Sequence, residues 1–209
     1  MEKETVPQAV RGITSCVAAV VPQEAIAMPA AGIIKYAYLA YLAKPAADRT
    51  LYRLIRTEKA CRIVELGIGS LLRTANLIAV AQRYSPQAEI HYSAVDWFDM
   101  RPDEMPPIKL IEAHRRLKAT GAKIRVLPGE PGETLRSVAN SLLKTDLLLI
   151  GPSVTDDSFV QAWYYLPRMC HPKTTVLRSS EVTGAIVYRT ISFAEIAERS
   201  VAAAPARAA

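Results

Sequence analysis

The stretch Arg62-Ile63-Val64-Glu65-Leu66-Gly67-Ile68-Gly69-Ser70 decides the fold. Five residues rich in β-branched and apolar side chains read as a short buried strand. The two glycines that follow read as a tight turn, and Leu71 to Tyr84 reads as a helix. On that helix Leu72, Ala75, Ile78, Ala79 and Gln82 recur at spacings of three and four. Strand, glycine turn, helix is the opening unit of a parallel α/β sheet.

The pattern repeats downstream. Glu89–Val95 and Lys123–Leu127 read as strands. Asp146–Ile150 lacks alternation, as expected of a strand covered on both faces. Helices are expected over Pro107–Ala119, with Pro107 in its first turn, and over Gly132–Leu143 and Asp157–Met169. Thr174–Arg178 and Ala185–Ile191 complete the strands. The fold class is therefore α/β, a doubly wound, mostly parallel Rossmann-like sheet of six to seven strands. Right-handed crossovers put the strand C-termini on one rim, where ligands of such sheets bind.

Upstream, Ala30–Ala43 and Asp48–Lys59 read as helices, the second with Leu51, Leu54 and Ile55 on one stripe. The division expected is a helical extension or lid over 1–60, the α/β domain over 61–199 and a fraying tail over 200–209. Ile13–Ala43 is apolar, but Pro22, Glu24, Pro29 and Lys35 interrupt it, which argues against a membrane span. Glu2 and Glu4 against Lys3 and Arg11 argue against a secretory leader.

The chain has 209 residues, half of them apolar, and a formal charge of +6. The surplus is spread along the chain, and its densest knot is Arg115, Arg116, Lys118. That pattern speaks against nucleic acid as a partner. Cys16, Cys61 and Cys170 are odd in number and widely spaced, which fits reduced, buried thiols and a cytoplasmic protein. No Cys or His spacing suits zinc.

The candidate site gathers around the glycine turn. Glycines there allow close backbone approach, and the helix start beyond them offers free N–H groups. Asp96 ends the second strand, where a carboxylate can accept both hydroxyls of a ribose. Such charge-assisted hydrogen bonds are worth roughly 1.5–3 kcal/mol each. Trp97 and Phe98 follow and are placed to cover an adenine ring.

Val64–Ser70 (VELGIGS), Ala94–Asp99 (AVDWFD) and Leu127–Leu135 (LPGEPGETL), in that order, resemble the cofactor motifs of class I S-adenosylmethionine-dependent methyltransferases. The resemblance covers about Arg62 to Gly151. It implies S-adenosylmethionine as cofactor, with Glu65 near its methionine part and Gly67 and Gly69 beneath it. It further implies Asp96 on the ribose and Gly129-Glu130 at the adenine amino group. Leu71 stands where the fullest motif has a third glycine. Ile150-Gly151-Pro152-Ser153 lacks the Asn-Pro-Pro-Tyr signature and the metal-binding Asp of related groups, so no metal is expected. Ser179-Ser180-Glu181 is expected after strand five, and the C-terminal edge is expected to be abbreviated.

The function expected is metal-independent methyl transfer to a small-molecule acceptor. Ser153, Asp156, Asp157 and Glu181 are the candidate catalytic groups, and a homodimer is compatible with this reading. Two alternatives stand beside it. One is a non-catalytic protein that binds an adenosine cofactor. The other is an NAD-dependent oxidoreductase, which Leu72 disfavours because GxGxxG would place glycine there.

Overall fold

A computed structural model describes residues 31–204. Cys16, the segment before Ala31 and the last five residues lie outside them. The strands are β1 (Arg62–Leu66), β2 (His91–Asp96), β3 (Lys123–Pro128), β4 (Leu147–Ile150), β5 (Thr175–Val182) and β6 (Ala185–Ile191). They form one sheet in the order β3-β2-β1-β4-β5-β6. All neighbours are parallel except β5 and β6. This is a doubly wound, mostly parallel Rossmann-like α/β sheet. Strand order reverses between β1 and β4, and the crevice above that point is where such sheets take ligands.

Alternation along the strands feeds two cores. Ile63, Tyr92, Ala94, Leu147, Leu149 and Leu177 face one side. That side is covered by α1 (Ile33–Tyr41), α2 (Ala46–Glu58), α3 (Leu71–Tyr84) and α4 (Leu110–Lys118). Val64, Leu66, Val95, Leu148 and Ile150 face the other, toward α5 (Pro131–Val138), α6 (Asp156–Phe159), α7 (Leu166–Met169) and α8 (Phe193–Ala202). Burying Leu77 or Ile78 of α3 is worth about 1.5–3 kcal/mol each.

Several expected elements differ. Leu72 is exposed; the inward face of α3 is Arg73, Thr74, Leu77, Ile78 and Ala81. α4 starts at Leu110, because the residues around Pro107 belong to a loop that Arg101 ties down through the Pro106 carbonyl (2.7 Å). α5 ends at Val138 and a 3-10 turn continues to Ser141. The helix expected over Asp157–Met169 is three pieces, α6, a 3-10 turn over Gln161–Tyr165, and α7. Pro167 explains the break, since its ring clashes with the carbonyl one turn back. Ser179, Ser180 and Glu181 lie inside β5, held by pairing with Tyr188, Val187 and Ile186 of β6. Residues 200–202 are helical, because α8 is capped by the Ser192 hydroxyl (3.1 Å from Glu195 N) and anchored by buried Ile196.

Burial pushes the Cys170 thiol up to about 12, whereas Cys61 is half-buried. A thiol that stays protonated and enclosed is inert. Alkylation mapped by mass spectrometry is therefore expected to modify Cys61 in the native protein and Cys170 only in denaturant. Equal native labelling of the two would contradict this packing.

Candidate functional site

The glycine turn and the end of β2 meet at the sheet rim. Gly67 takes φ +75°, a region L side chains rarely adopt, and its N–H donates to Val95 O (2.8 Å). A side chain at Gly67 would overlap the Ser153 hydroxyl, and one at Gly151 would overlap the Gly67 carbonyl oxygen. The β1 and β4 loops therefore close on each other through bare backbone.

Asp96 sits beside this turn and is fully buried. Its Oδ2 accepts from Ile68 N (2.6 Å), and its Oδ1 from Phe98 N (2.9 Å). The remaining capacity is taken by Arg101, whose Nε reaches Oδ1 and whose Nη2 reaches Oδ2, both at 2.7 Å. Arg101 Nη2 also donates to Ile68 O (2.5 Å). In this state Asp96 has no lone pair left for a ribose.

Glu65 is equally committed. Its Oε1 is ion-paired to Arg73, and its Oε2 accepts from Thr74 Oγ1 (2.9 Å) and Tyr92 OH (2.7 Å). Arg73 also donates to Tyr188 OH (3.0 Å), which donates in turn to Asp48 Oδ1 (3.1 Å). Arg73 Nε is buried without a partner. Burial raises the Tyr92, Tyr52 and Tyr188 phenols, which keeps them neutral donors. This chain links α2, β1, β2, α3 and β6 under the turn.

Above it lies a cleft of about 380 Å³, bordered by Asp48, Gly69, Arg73, Arg101, Ser153 and Glu181 among others. The structure thus brings Glu65, Gly67, Gly69 and Asp96 together, with Ser153 and Glu181 at the same cleft. Asp156 instead pairs with Arg178 (2.6 Å). Glu130 caps α5 by accepting from Glu133 N (2.5 Å), and with Asp157 it borders a separate cleft. Gly129 stays near Asp96, its N–H on the Asp96 carbonyl (2.9 Å). Trp97 is half-buried and does not border the Gly69 cleft, and Phe98 is a core residue, not a ring cover.

Arg101, Arg73 and Asp48 were not anticipated. For Asp48 a signal existed: it stands three, four and seven residues before Leu51, Tyr52 and Ile55, which are all buried. The apolar stripe of α2 therefore begins with an acid.

No family model matches the chain, and no curated protein matches it. Solved structures of similar architecture include S-adenosylmethionine-dependent methyltransferases. One is the O-methyltransferase TomG of Streptomyces achromogenes, in complex with S-adenosylmethionine. It is 15% identical with TM-score 0.48, over 69% of this chain and 59% of that one. Another, from Agrobacterium tumefaciens, is 12% identical with TM-score 0.43, over 65% and 44%. MnmC2 of Aquifex aeolicus is 13% identical with TM-score 0.42, over 85% and 70%. The chain thus spans well under two thirds of the first two. These likenesses concern architecture and assign no ligand to this chain.

Burial raises the Asp48 carboxyl above its ordinary 3.8, with the nearby Arg73 charge and the Tyr188 hydrogen bond opposing. The native state therefore holds this proton more tightly than the unfolded chain. Stability from this group is fully present below 3.8 and is lost as pH rises through the higher native value. Asp48→Asn keeps an acceptor oxygen for Tyr188 and stays neutral. Its melting temperature relative to wild type is expected to be more favourable at about pH 7 than at about pH 4. Calorimetry at both pH values checks this, and the reverse trend would exclude a buried, reluctant carboxylate.

Proposed function

We propose that this rim cleft binds S-adenosylmethionine and that the chain transfers its methyl group to a small-molecule acceptor without a metal. The observation that carries the reading is a buried carboxylate at the tip of β2. It lies in hydrogen-bond contact with the glycine turn of β1, beside the point where strand order reverses. The order of motifs in the sequence supports the same ligand.

Arg101 must leave Asp96 for ribose hydroxyls to take its place. The guanidinium and the two hydroxyls compete for the same lone pairs, so the two contacts exclude each other. The bound cofactor supplies an electrophilic methyl group, and the protein has to hold the acceptor in line and exclude water. Ser153 and Glu181, which border the cleft, are the candidate groups for orienting an acceptor or taking its proton. Asp156 pairs with Arg178, and Asp157 borders a separate cleft.

Replacing Asp96 would strip Arg101 and two backbone amides of their acceptor, whereas replacing Arg101 leaves Asp96 its two backbone donors, so Arg101 is the probe. Apparent affinity falls with the fraction of molecules that are open, so Arg101→Ala is expected to bind S-adenosylhomocysteine roughly tenfold more tightly than wild type. Titration calorimetry on both proteins measures this, with NAD as a parallel ligand and a chelator expected to change nothing. If neither protein binds S-adenosylhomocysteine, or if NAD binds more tightly, the reading fails.

A further inference from the structure

A second cleft, of about 210 Å³, opens at the other end of the strands from the glycine turn. The sheet register explains its lining. Leu66, Val95 and Leu127 are neighbours on β1, β2 and β3, and they join the apolar layer under α5. Two residues earlier the row reads Val64, Ser93, Arg125, and at the strand starts it reads Arg62, His91, Lys123. α5 ends at Val138, and the connection from Ser141 to Thr145 forms the outer wall of the cleft. The face that is core near the rim is therefore basic at the strand starts.

Like charges on neighbouring strands repel, since paired positions are only about 5 Å apart. Arg125 stands one pleat on, roughly 7 Å along its strand from Lys123. Glu89 offsets part of this repulsion, with its Oε2 2.7 Å from Lys123 Nζ and 3.3 Å from His91 Nε2. The Asp146 carboxylate is taken by the Cys61 and Arg62 amides. The Arg62 and Arg125 guanidiniums are in no ion pair among the described residues, and Arg125 Nη1 donates to Ser141 Oγ (2.6 Å). Lysines and arginines on an edge strand commonly guard it against pairing with another chain, which accounts for those of β3. It does not account for Arg62 and His91, which stand on interior strands.

We propose that this cleft binds a small diphosphate-bearing anion, at a site separate from the rim cleft and independent of the adenosine reading. Two linked phosphates set negative charge against both basic rows at once, whereas a carboxylate or a single phosphate meets only one of them. Each guanidinium offers a fork of N–H donors that matches phosphate oxygens. The cleft has room for about seven waters at ~30 Å³ each, which suits a compact anion. A nucleic-acid backbone would need a basic track leading away from the cleft. The densest basic knot, Arg115, Arg116 and Lys118, lies instead on α4, on the opposite face of the sheet.

Titration calorimetry in about 0.15 M salt, where exposed charges are screened beyond ~8 Å, compares inorganic pyrophosphate with orthophosphate. It is run on wild type, Arg62→Gln, Arg125→Gln and Arg115→Gln, the last removing an equal charge from the exposed surface of α4. All three side chains are exposed, so the melting temperatures without ligand are expected to match wild type. Wild type is expected to bind one pyrophosphate, more tightly than orthophosphate. Arg62→Gln and Arg125→Gln are each expected to lose roughly tenfold, the worth of one charge-assisted contact, while Arg115→Gln binds as wild type does. Uridine diphosphate separates the sources of the anion. Affinity no better than pyrophosphate makes the diphosphate itself the ligand, and tighter binding makes it part of a nucleotide. No pyrophosphate binding, several weak equivalents, or an equal loss in Arg115→Gln would overturn the site. A short single-stranded RNA that binds more tightly than pyrophosphate, and is lost with Arg62→Gln, would overturn the small-ligand assignment. None of these outcomes bears on S-adenosylhomocysteine binding at the rim.

Discussion

Two oxygens of one carboxylate, at the tip of β2, organise the rim. Asp96 accepts from the glycine turn that follows β1, from the backbone that follows its own strand, and twice from Arg101 in the next loop. Three segments are thereby fixed to one point, and Arg101 adds a bond to the Ile68 carbonyl of the turn. Phe98 adopts φ +49°, a rare conformation for an aromatic residue, while donating to that carboxylate and burying its ring. Breaking a buried ion pair by removing one partner typically costs 3–5 kcal/mol, so this contact can be exchanged for another but not simply lost. A ligand offering two hydroxyls is one exchange that leaves the carboxylate satisfied.

Beneath the rim the same logic is applied to a second charge. Glu65 replaces an apolar residue at the end of a strand whose neighbours are all buried. It is tolerable only because Arg73, Thr74 and Tyr92 converge on it from a helix and a neighbouring strand. Extending the chain through Tyr188 to Asp48 ties α2 and the terminal hairpin to the same spot. Buried polar networks of this kind resist rearrangement when every member is paired. Here Arg73 Nε, in the middle of the chain, is a buried position without a partner.

Much of the fold was legible, because β1 is a short run of buried residues ending in glycines and β4 is an unbroken Leu-Leu-Leu-Ile. Glu65, the two turn glycines and Asp96 were legible for the same reason: strand ends and turns carry fixed offsets. What was not legible depends on contacts between distant residues. Arg101 looks like any loop arginine until folding sets it on Asp96. The stripe assigned to α3 failed because periodicity was sought among apolar residues, while the true inward face includes Arg73 and Thr74, which answer a charge on another element. Glu130 caps α5, a role that an acid three residues before Glu133 with Pro131 between also announces. Ser179–Glu181 were placed beyond a strand because nothing local announces a hairpin partner.

These misses share a cause that bears on how the cleft works. The residues identified from the sequence are the ones a parallel sheet supplies by topology, at the strand ends and the turn of the rim. Those that escaped, Arg101, Arg73 and Asp48, are charged side chains reaching the cleft from a loop, a helix face and a preceding helix. They border the cleft itself, so the helices before β1 supply part of its wall. α2 shares the core of α3 through Leu51 and Ile55, so packing fixes where its first turn meets the cleft. A carboxylate carried on that turn is positioned by packing, with side-chain freedom already spent, which is the condition for a selective contact instead of a merely attractive one.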